Sequence, residues 1–347
     1  MFQGDIVYAL LAAALFGAST PVAKILTGEL HPVLLAGLLY LGSGTGLTLA
    51  RLVRDRGFEP SGLVKTEWTW FLGAVFFGGL LAPVALALGL TRISGTSASL
   101  LLNLEAVLTA VIAWVVFREN AGRRIVLGML AIVAGGVVLS WPGGEGVHSG
   151  WTGPALIAAA CLCWAIDNNL TRRVSASDAL FIAGAKGLIA GTVNTAIALL
   201  MGAAMPGSPV LLATLAVGLA GYGISLVCFV LALRGLGTAR TGAYFSTAPF
   251  IGAAVAVVLL GENVGTGFWA ASALMAAGVW LHLTEKHEHV HVHVPLEHSH
   301  SHVHDAHHQH AHKAEPPPGE SHEHSHRHLA VQHKHPHFPD IHHRHGH

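Results

Sequence analysis

The chain has 347 residues, of which 52% are hydrophobic and only 11% are charged. Ordinary soluble chains carry about 25% charged residues, so the composition predicts an integral membrane protein and excludes a soluble two-domain enzyme. The 19 Lys and Arg residues balance 19 Asp and Glu residues, and this balance gives no indication of nucleic-acid binding.

Ten apolar segments follow one another along the chain, and each is long enough to cross the hydrocarbon core as a helix. They lie at 5–26, 32–53, 68–90, 94–117, 122–141, 151–171, 178–202, 209–233, 239–260 and 264–284. Because a backbone in lipid must satisfy its own hydrogen bonds, each segment is predicted to be α-helical. The predicted fold is therefore an all-α integral membrane protein with ten transmembrane helices.

The distribution of basic residues predicts the orientation. With a cytoplasmic N-terminus, the inner connections hold twelve Lys and Arg residues and the outer ones hold Arg92 alone. The twelve are Arg51, Arg54, Arg56, Lys65, Arg118, Arg123, Arg124, Arg172, Arg173, Arg234, Arg240 and Lys286. By the positive-inside rule, this bias places both termini in the cytoplasm. The expected location is the plasma (inner) membrane.

The two halves of the chain resemble each other. Residues 105–136 align with 248–279 without a gap, and the identical pairs include Glu119 with Glu262. Because each copy would hold five helices, an odd number, the second copy must insert upside down, as in many secondary transporters. The predicted domains are a first repeat at 1–142, an inverted second repeat at 149–285 and a tail at 286–347.

Three stretches resemble the drug/metabolite transporter superfamily of the EamA type. They are FGASTPVAK at 16–24, TSASLLLNLEAVLTAVIAW at 96–114 with FRE at 117–119, and TARTGAYFSTAP at 238–249 with LGE at 260–262. The resemblance covers about 1–285. It implies two inverted five-helix repeats and transport of small solutes, often amino acids or other metabolites and frequently outward.

Three charged residues, Glu105, Asp167 and Lys186, are predicted to lie inside the membrane. A charge at the centre of a membrane helix costs about 2.5–3.5 kcal/mol, and such a residue is a functional hypothesis by default. Glu105 is near the middle of the fourth segment, where it suits proton coupling or contact with a cationic substrate. The structural alternative is a hydrogen bond to Asn103 or to a neighbouring helix.

Asp167 and Lys186 are expected to pair across the sixth and seventh segments, because pairing lowers the cost of burying both charges. The pair is either a gate that breaks when substrate binds or a structural tie. Asn168 extends this polar patch, and Tyr244 is a candidate aromatic wall of the substrate site.

A tail of different composition begins after the last apolar segment, and 23 of the 26 histidines lie between His287 and His347. Its prolines and scattered charges predict disorder. Closely spaced imidazoles suit Zn²⁺, Ni²⁺, Co²⁺ or Cu²⁺, whereas the alternative is a solvated linker. The candidate ligands are His287, His289, His291, His293, His298, His300, His302 and His304.

The main interpretation is a secondary transporter that exports small polar or amphiphilic metabolites by alternating access. One alternative is a divalent-metal exporter whose tail collects or senses the metal, and another is a membrane-tethered metal store. No enzyme is expected, because the sequence shows neither a nucleophile and base pattern nor a phosphate loop. No cofactor is required; the expected partners are a small-molecule substrate, the lipid bilayer, transition-metal ions and, as an open option, a second copy of the chain.

Overall fold

The computed structural model describes residues 2–116, 123–141, 150–174, 177–284, 287–293, 296–302, 322–328 and 331–337. Its elements up to the ninth helix are α1 (Phe2–Leu26), α2 (Pro32–Arg54), α3 (Glu67–Ala74), the π-helix π1 (Val75–Leu81), α4 (Ala82–Leu90), α5 (Gly95–Leu101), α6 (Leu104–Val116), α7 (Arg123–Ser140), α8 (Thr152–Val174) and α9 (Ala179–Leu200). The others are α10 (Ser208–Val217), the π-helix π2 (Gly218–Ile224), α11 (Ser225–Phe245), α12 (Ala248–Leu260), α13 (Thr266–Leu283), β1 (His287–His293), β2 (Leu296–His302), β3 (His322–His328) and β4 (Val331–His337).

Seven helical stretches of the described residues are long and apolar enough to span a membrane. They are Gly4–Leu26, Pro32–Arg54, Glu67–Leu90, Gly95–Val116, Arg123–Ser140, Ala179–Leu200 and Ser208–Ala232. Ala248–Leu260 and Thr266–Leu281 are apolar but shorter, and α8 carries Asp167, Arg172 and Arg173. The helical membrane fold is thus confirmed, and the count of ten spans stays a prediction.

Several elements recur at a constant distance along the chain. The two π-helices have seven residues each and begin 143 residues apart, at Val75 and Gly218. Helices α7 and α13 have 18 residues each and also begin 143 residues apart, at Arg123 and Thr266. The spacing equals the offset between the aligned sequence segments.

Two of the predicted spans are interrupted. The span predicted at 94–117 is divided into α5 and α6 by a turn at Leu102 and Asn103. The connection predicted at 234–238 is wrong, because α11 continues to Phe245 and the interruption falls at Ser246 and Thr247. Pro249 explains that position, since a proline has no N–H to donate to the carbonyl four residues earlier.

Helices α2 and α9 pack so closely that their backbones contact each other. A Cβ atom built at Gly187 would lie 2.5 Å from the nitrogen of Gly44 and 2.8 Å from the carbonyl oxygen of Tyr40. A Cβ at Gly191 would overlap the backbone nitrogen of Leu41. Small residues at one face of a helix allow this close approach in membranes, so α2 of the first half is packed directly onto α9 of the second half.

The described parts of the tail contain strands where the sequence predicted disorder. Strand β1 pairs antiparallel with β4, and β2 pairs antiparallel with β3. The prediction considered composition alone. Histidine at every second position also has the period of two that is typical of a strand, which places like residues on one face.

At one end of the bundle, called the Asp178 end, ion pairs connect α2 with α9. Arg51 Nε donates to Asp178 Oδ2 at 2.9 Å, and Arg54 Nη2 donates to the same oxygen at 2.5 Å. Asp178 also precedes α9 as its N-cap and accepts a hydrogen bond from the backbone of Leu180 at 3.0 Å. Burial acts to raise the pKa of Asp178, but the hydrogen bonds from Arg54 and Arg51 outweigh it, and the pKa lies below its ordinary value.

We expect the Asp178→Asn variant to melt at a lower temperature than the native chain at neutral pH. A depressed carboxyl pKa contributes stability in full above the unfolded value of about 3.9 and loses it as pH falls through the folded value. The difference between variant and native chain should therefore shrink below about pH 4. Thermal melts in detergent between pH 7 and 3 measure it, with exposed Glu29→Gln as the control; a difference that is constant with pH would contradict the assignment.

Candidate functional site

An ion pair lies inside the bundle between α8 and α9. Lys186 Nζ contacts Asp167 Oδ2, and the two side chains are only 4% and 7% exposed. The hydroxyl of Thr171, one turn further along α8, donates to Asp167 Oδ1 at 2.9 Å. The contact expected between these two residues is present, and each charge offsets the burial cost of the other. Their role in transport stays a prediction.

The π-helix π1 packs directly against this ion pair. A Cβ at Gly78 would overlap the Asp167 carboxylate, so only glycine leaves room for the acid there. Tyr40 donates its hydroxyl to Gly78 O at 2.6 Å, and Trp164 donates its indole N–H to the same oxygen at 3.3 Å. A π-helix displaces the regular i to i−4 bonding and is frequent at functional sites.

The amide of Asn194 on α9 completes the support of π1. Its Nδ2 donates to Gly79 O and to Leu80 O, both at 3.3 Å. Side chains from α2, α8 and α9 thus bind the carbonyls of three successive residues in π1. This arrangement holds a distorted turn of backbone beside the buried carboxylate.

A second polar pair lies where α6 begins, just after the interruption of the fourth predicted span. Asn168 Nδ2 donates to Glu105 Oε1 at 2.7 Å, and both residues are half-buried. Asn103 is not the partner of Glu105: its Nδ2 donates to Leu100 O at 3.0 Å and faces Met275 Sδ at 3.8 Å. Four of the predicted residues therefore form two contacting pairs on α6, α8 and α9: Glu105 with Asn168, and Asp167 with Lys186.

Tyr244 lies elsewhere. Its half-buried ring packs against a small cluster of Ala9, Ala232 and Leu236, on α1 and α11. Of the predicted tail ligands, seven lie on β1 and β2, and His304 lies outside the described residues. Among the side chains that the structure describes, no three His, Cys, Asp or Glu residues form a group that could hold a metal ion.

At the opposite end of the bundle, called the Glu262 end, the two halves of the chain contact each other. The carboxylate of Glu262 accepts hydrogen bonds from the backbone nitrogens of Gly95 at 2.7 Å and Thr96 at 2.8 Å, at the start of α5. A carboxylate at a helix N-terminus is stabilised by the exposed N–H groups and the helix dipole. We call this contact the Glu262 clasp.

Sequence reasoning missed the clasp, Tyr40 and the role of Gly78. The match of Glu262 with Glu119 in the internal alignment is the signal that could have singled out the clasp. Tyr40 and Gly78 gave no such signal, because a tyrosine and a glycine in apolar helices are ordinary residues until their neighbours are known.

Charged and amide side chains buried among apolar helices are typical of membrane transport proteins. The sequence profile of the EamA-like transporter family matches residues 4–141 and, separately, residues 151–284. Because these matches cover most of the chain, this protein belongs to the EamA-like transporter family.

Individual relatives agree with that membership. An uncharacterized transporter of Methanothermobacter thermautotrophicus is 26% identical over 286 residues, which cover 78% of this chain and 83% of that protein. The uncharacterized transporter YetK of Bacillus subtilis is 25% identical over 154 residues, or 44% of this chain and 46% of YetK. A crystal structure with 22% identity superposes with a TM-score of 0.60, covering 79% of this chain and 95% of that one. This last likeness shows the fold alone.

Removing one partner of the buried ion pair should destabilise the bundle strongly. Asp167→Asn or Lys186→Met alone leaves an unpaired buried charge, at an expected cost of about 3–5 kcal/mol. The double variant has no charge left to bury, so its loss should be smaller than the sum of the two by at least about 1 kcal/mol. Unfolding in detergent measures this cycle.

The matched control combines Asp167→Asn with Lys65→Met, since Lys65 is exposed and lies outside the helices. Those two changes should be additive. If the changes in unfolding free energy for Asp167→Asn and Lys186→Met are also additive, the two side chains have no coupling free energy.

Proposed function

We propose that this chain is a secondary transporter that exports small polar or amphiphilic solutes by alternating access. Two inverted five-helix repeats, at 1–142 and 149–285, would form the pathway. The separate family matches at 4–141 and 151–284 support this division, as does the recurrence of π-helices and of α7 and α13 after 143 residues. An odd number of helices per repeat requires that the second be inverted.

The polar cluster of Glu105, Asn168, Asp167 and Lys186 carries the proposal. Glu105 and Asn168 are half-buried, whereas Asp167 and Lys186 are almost fully buried. We infer that a solute with both polar and apolar parts binds at the half-buried pair, Glu105 and Asn168. Glu105 is the proposed proton-coupling residue, because it is the only carboxylate of the cluster without a cationic partner among the described residues.

Alternating access requires one end of the pathway to be closed while the other is open. Helix α5 packs against α12 at the Glu262 clasp, whereas α6 packs mainly against α8. The positive-inside rule would place the Asp178 end in the cytoplasm and the Glu262 end outside. Contacts between the two halves lie at both ends, the Glu262 clasp at one and the ion pairs of Asp178 at the other, and one of these contacts must break whenever the pathway opens on that side.

Export is tested by mass spectrometry of the growth medium of cells that express the full chain or carry an empty vector. We expect at least one small polar solute to accumulate outside cells with the native chain. Glu105→Gln should reduce that accumulation to the vector level and remove its dependence on external pH between 5.5 and 8, because glutamine keeps the hydrogen-bonding shape but cannot carry a proton.

The exposed carboxylate Glu29 provides the control, and Glu29→Gln should export like the native chain at equal membrane abundance. Unchanged, pH-dependent export by Glu105→Gln would contradict proton coupling through this residue. The same medium profile for native chain and vector would contradict export itself.

The tail is proposed to bind transition-metal ions. In the β1–β4 ladder His287, His289 and His291 are register partners of His337, His335 and His333, and in β2–β3 His298, His300 and His302 are partners of His326, His324 and His322. The register thus brings histidine positions of paired strands together along the backbone, and this density of histidines supports binding of Zn²⁺, Ni²⁺, Co²⁺ or Cu²⁺.

Cellular metal content separates a metal-binding tail from a metal-exporting pathway. Cells with the full chain, a version ending at Lys286 or an empty vector are challenged with each of the four metals and analysed by mass spectrometry. We expect the full chain alone to raise the retained metal, because only it has the 23 histidines of the tail. If both versions lower one metal equally, that metal is the transported substrate; no change in any culture would contradict metal binding by the tail in cells.

A further inference from the structure

A backbone carbonyl in the middle of α1 lacks its regular partner. In an α-helix, the carbonyl of Gly17 would accept the N–H of residue 21, but residue 21 is a proline inside the helix. Proline has no N–H to donate. In a membrane protein, a freed carbonyl is tolerated where another group of the protein, water or an ion binds it.

Gly17 faces α12 and α5 at the point where the two halves of the chain meet. A Cβ at Gly252 on α12 would lie 2.8 Å from the carbonyl oxygen of Gly17 and 2.9 Å from the hydroxyl oxygen of Ser99 on α5. Both oxygens therefore adjoin the bare Cα of one glycine. A side chain at position 252 would fill the place where they approach each other.

Two buried hydroxyl groups, one on α5 and one on α1, have no hydrogen-bond partner among the described residues. Ser99 is 1% exposed and its Oγ is unpaired. Thr20 is also 1% exposed with an unpaired Oγ1, and it lies three residues after Gly17 on the same face of α1. Buried hydroxyls without partners are rare in folded proteins, so a ligand is expected for them.

We propose that a sodium ion binds between α1, α5 and α12, held by Gly17 O, Ser99 Oγ and Thr20 Oγ1. The three donors are all oxygens, which suit a hard cation and not the softer transition metals. None of them is charged, which favours a monovalent over a divalent ion. Backbone carbonyls that lack a helical partner coordinate Na⁺ at the interface of the repeats in several transporter folds.

The site extends the proposed transport function by a coupling ion, but its detection does not depend on transport. The full chain is purified in detergent, and ²²Na⁺ binding and the melting temperature are measured in NaCl and in choline chloride of equal ionic strength. We expect saturable ²²Na⁺ binding and a higher melting temperature in sodium.

Three substitutions address the three parts of the site. Ser99→Ala removes one ligand, Gly252→Ala fills the junction, and Pro21→Ala supplies the N–H that Gly17 O lacks. Each should weaken sodium binding by about tenfold or more, since even outer partners of a bound ion are worth that much. Pro21→Ala is the decisive variant, because removing a proline from a helix interior favours folding.

The matched controls leave the junction unchanged. Ser225→Ala removes a buried hydroxyl that already donates to Ala12 O at 2.9 Å, and Gly267→Ala adds a methyl group with nothing within 4 Å. Both should bind sodium like the native chain. Equal melting temperatures in sodium and choline together with no ²²Na⁺ binding would overturn the proposal and mean that water bridges the oxygens. Undiminished sodium binding in all three site variants would also overturn it. A chain that binds sodium but exports nothing would contradict only the transport proposal.

Discussion

The carboxylate of Asp167 and the ammonium group of Lys186 neutralise each other inside a bundle of apolar helices, and the surrounding elements are arranged around that contact. Gly78 has no side chain because the carboxylate occupies its place. The π-helix that contains Gly78 is in turn supported by Tyr40, Trp164 and Asn194. A buried pair of charges is weak evidence of stability in itself, and both interpretations of the pair, a gate and a structural tie, stay predictions.

Much of this region follows from the sequence because the physical signal is strong. A charge among apolar residues has few ways to exist in lipid, so Asp167 and Lys186, on neighbouring segments at similar depth, could be paired by elimination. The partner of Glu105 could not be chosen in this way, because Asn103 and Asn168 are both amides within reach of a membrane carboxylate. The choice depends on how α6 is oriented after the turn at 102–103, and this orientation is set by packing against α8.

The positions where helices are interrupted could also be predicted only in part from the sequence. Pro249 marks one of them in the sequence, yet no proline marks the equivalent turn before Glu105. Pro21 has the opposite effect, since α1 continues through it. A proline removes one donor wherever it occurs, but whether the helix ends, bends or continues depends on what the neighbouring helices offer to the freed carbonyl. In the tail, the composition predicted disorder, whereas the described strands coincide with stretches that have histidine at every second position.

The crossing of α2 and α9 has a consequence for biosynthesis. The face of α2 near Gly44 packs against the backbone of residues around Gly187, which leave the ribosome after most of the first half has been inserted. During that interval, this face must be covered by lipid or by the insertion machinery. Asp167 and Lys186, by contrast, are separated by only nineteen residues and can enter the membrane together as a helical hairpin. The first half therefore cannot complete its packing until α9 of the second half has been inserted.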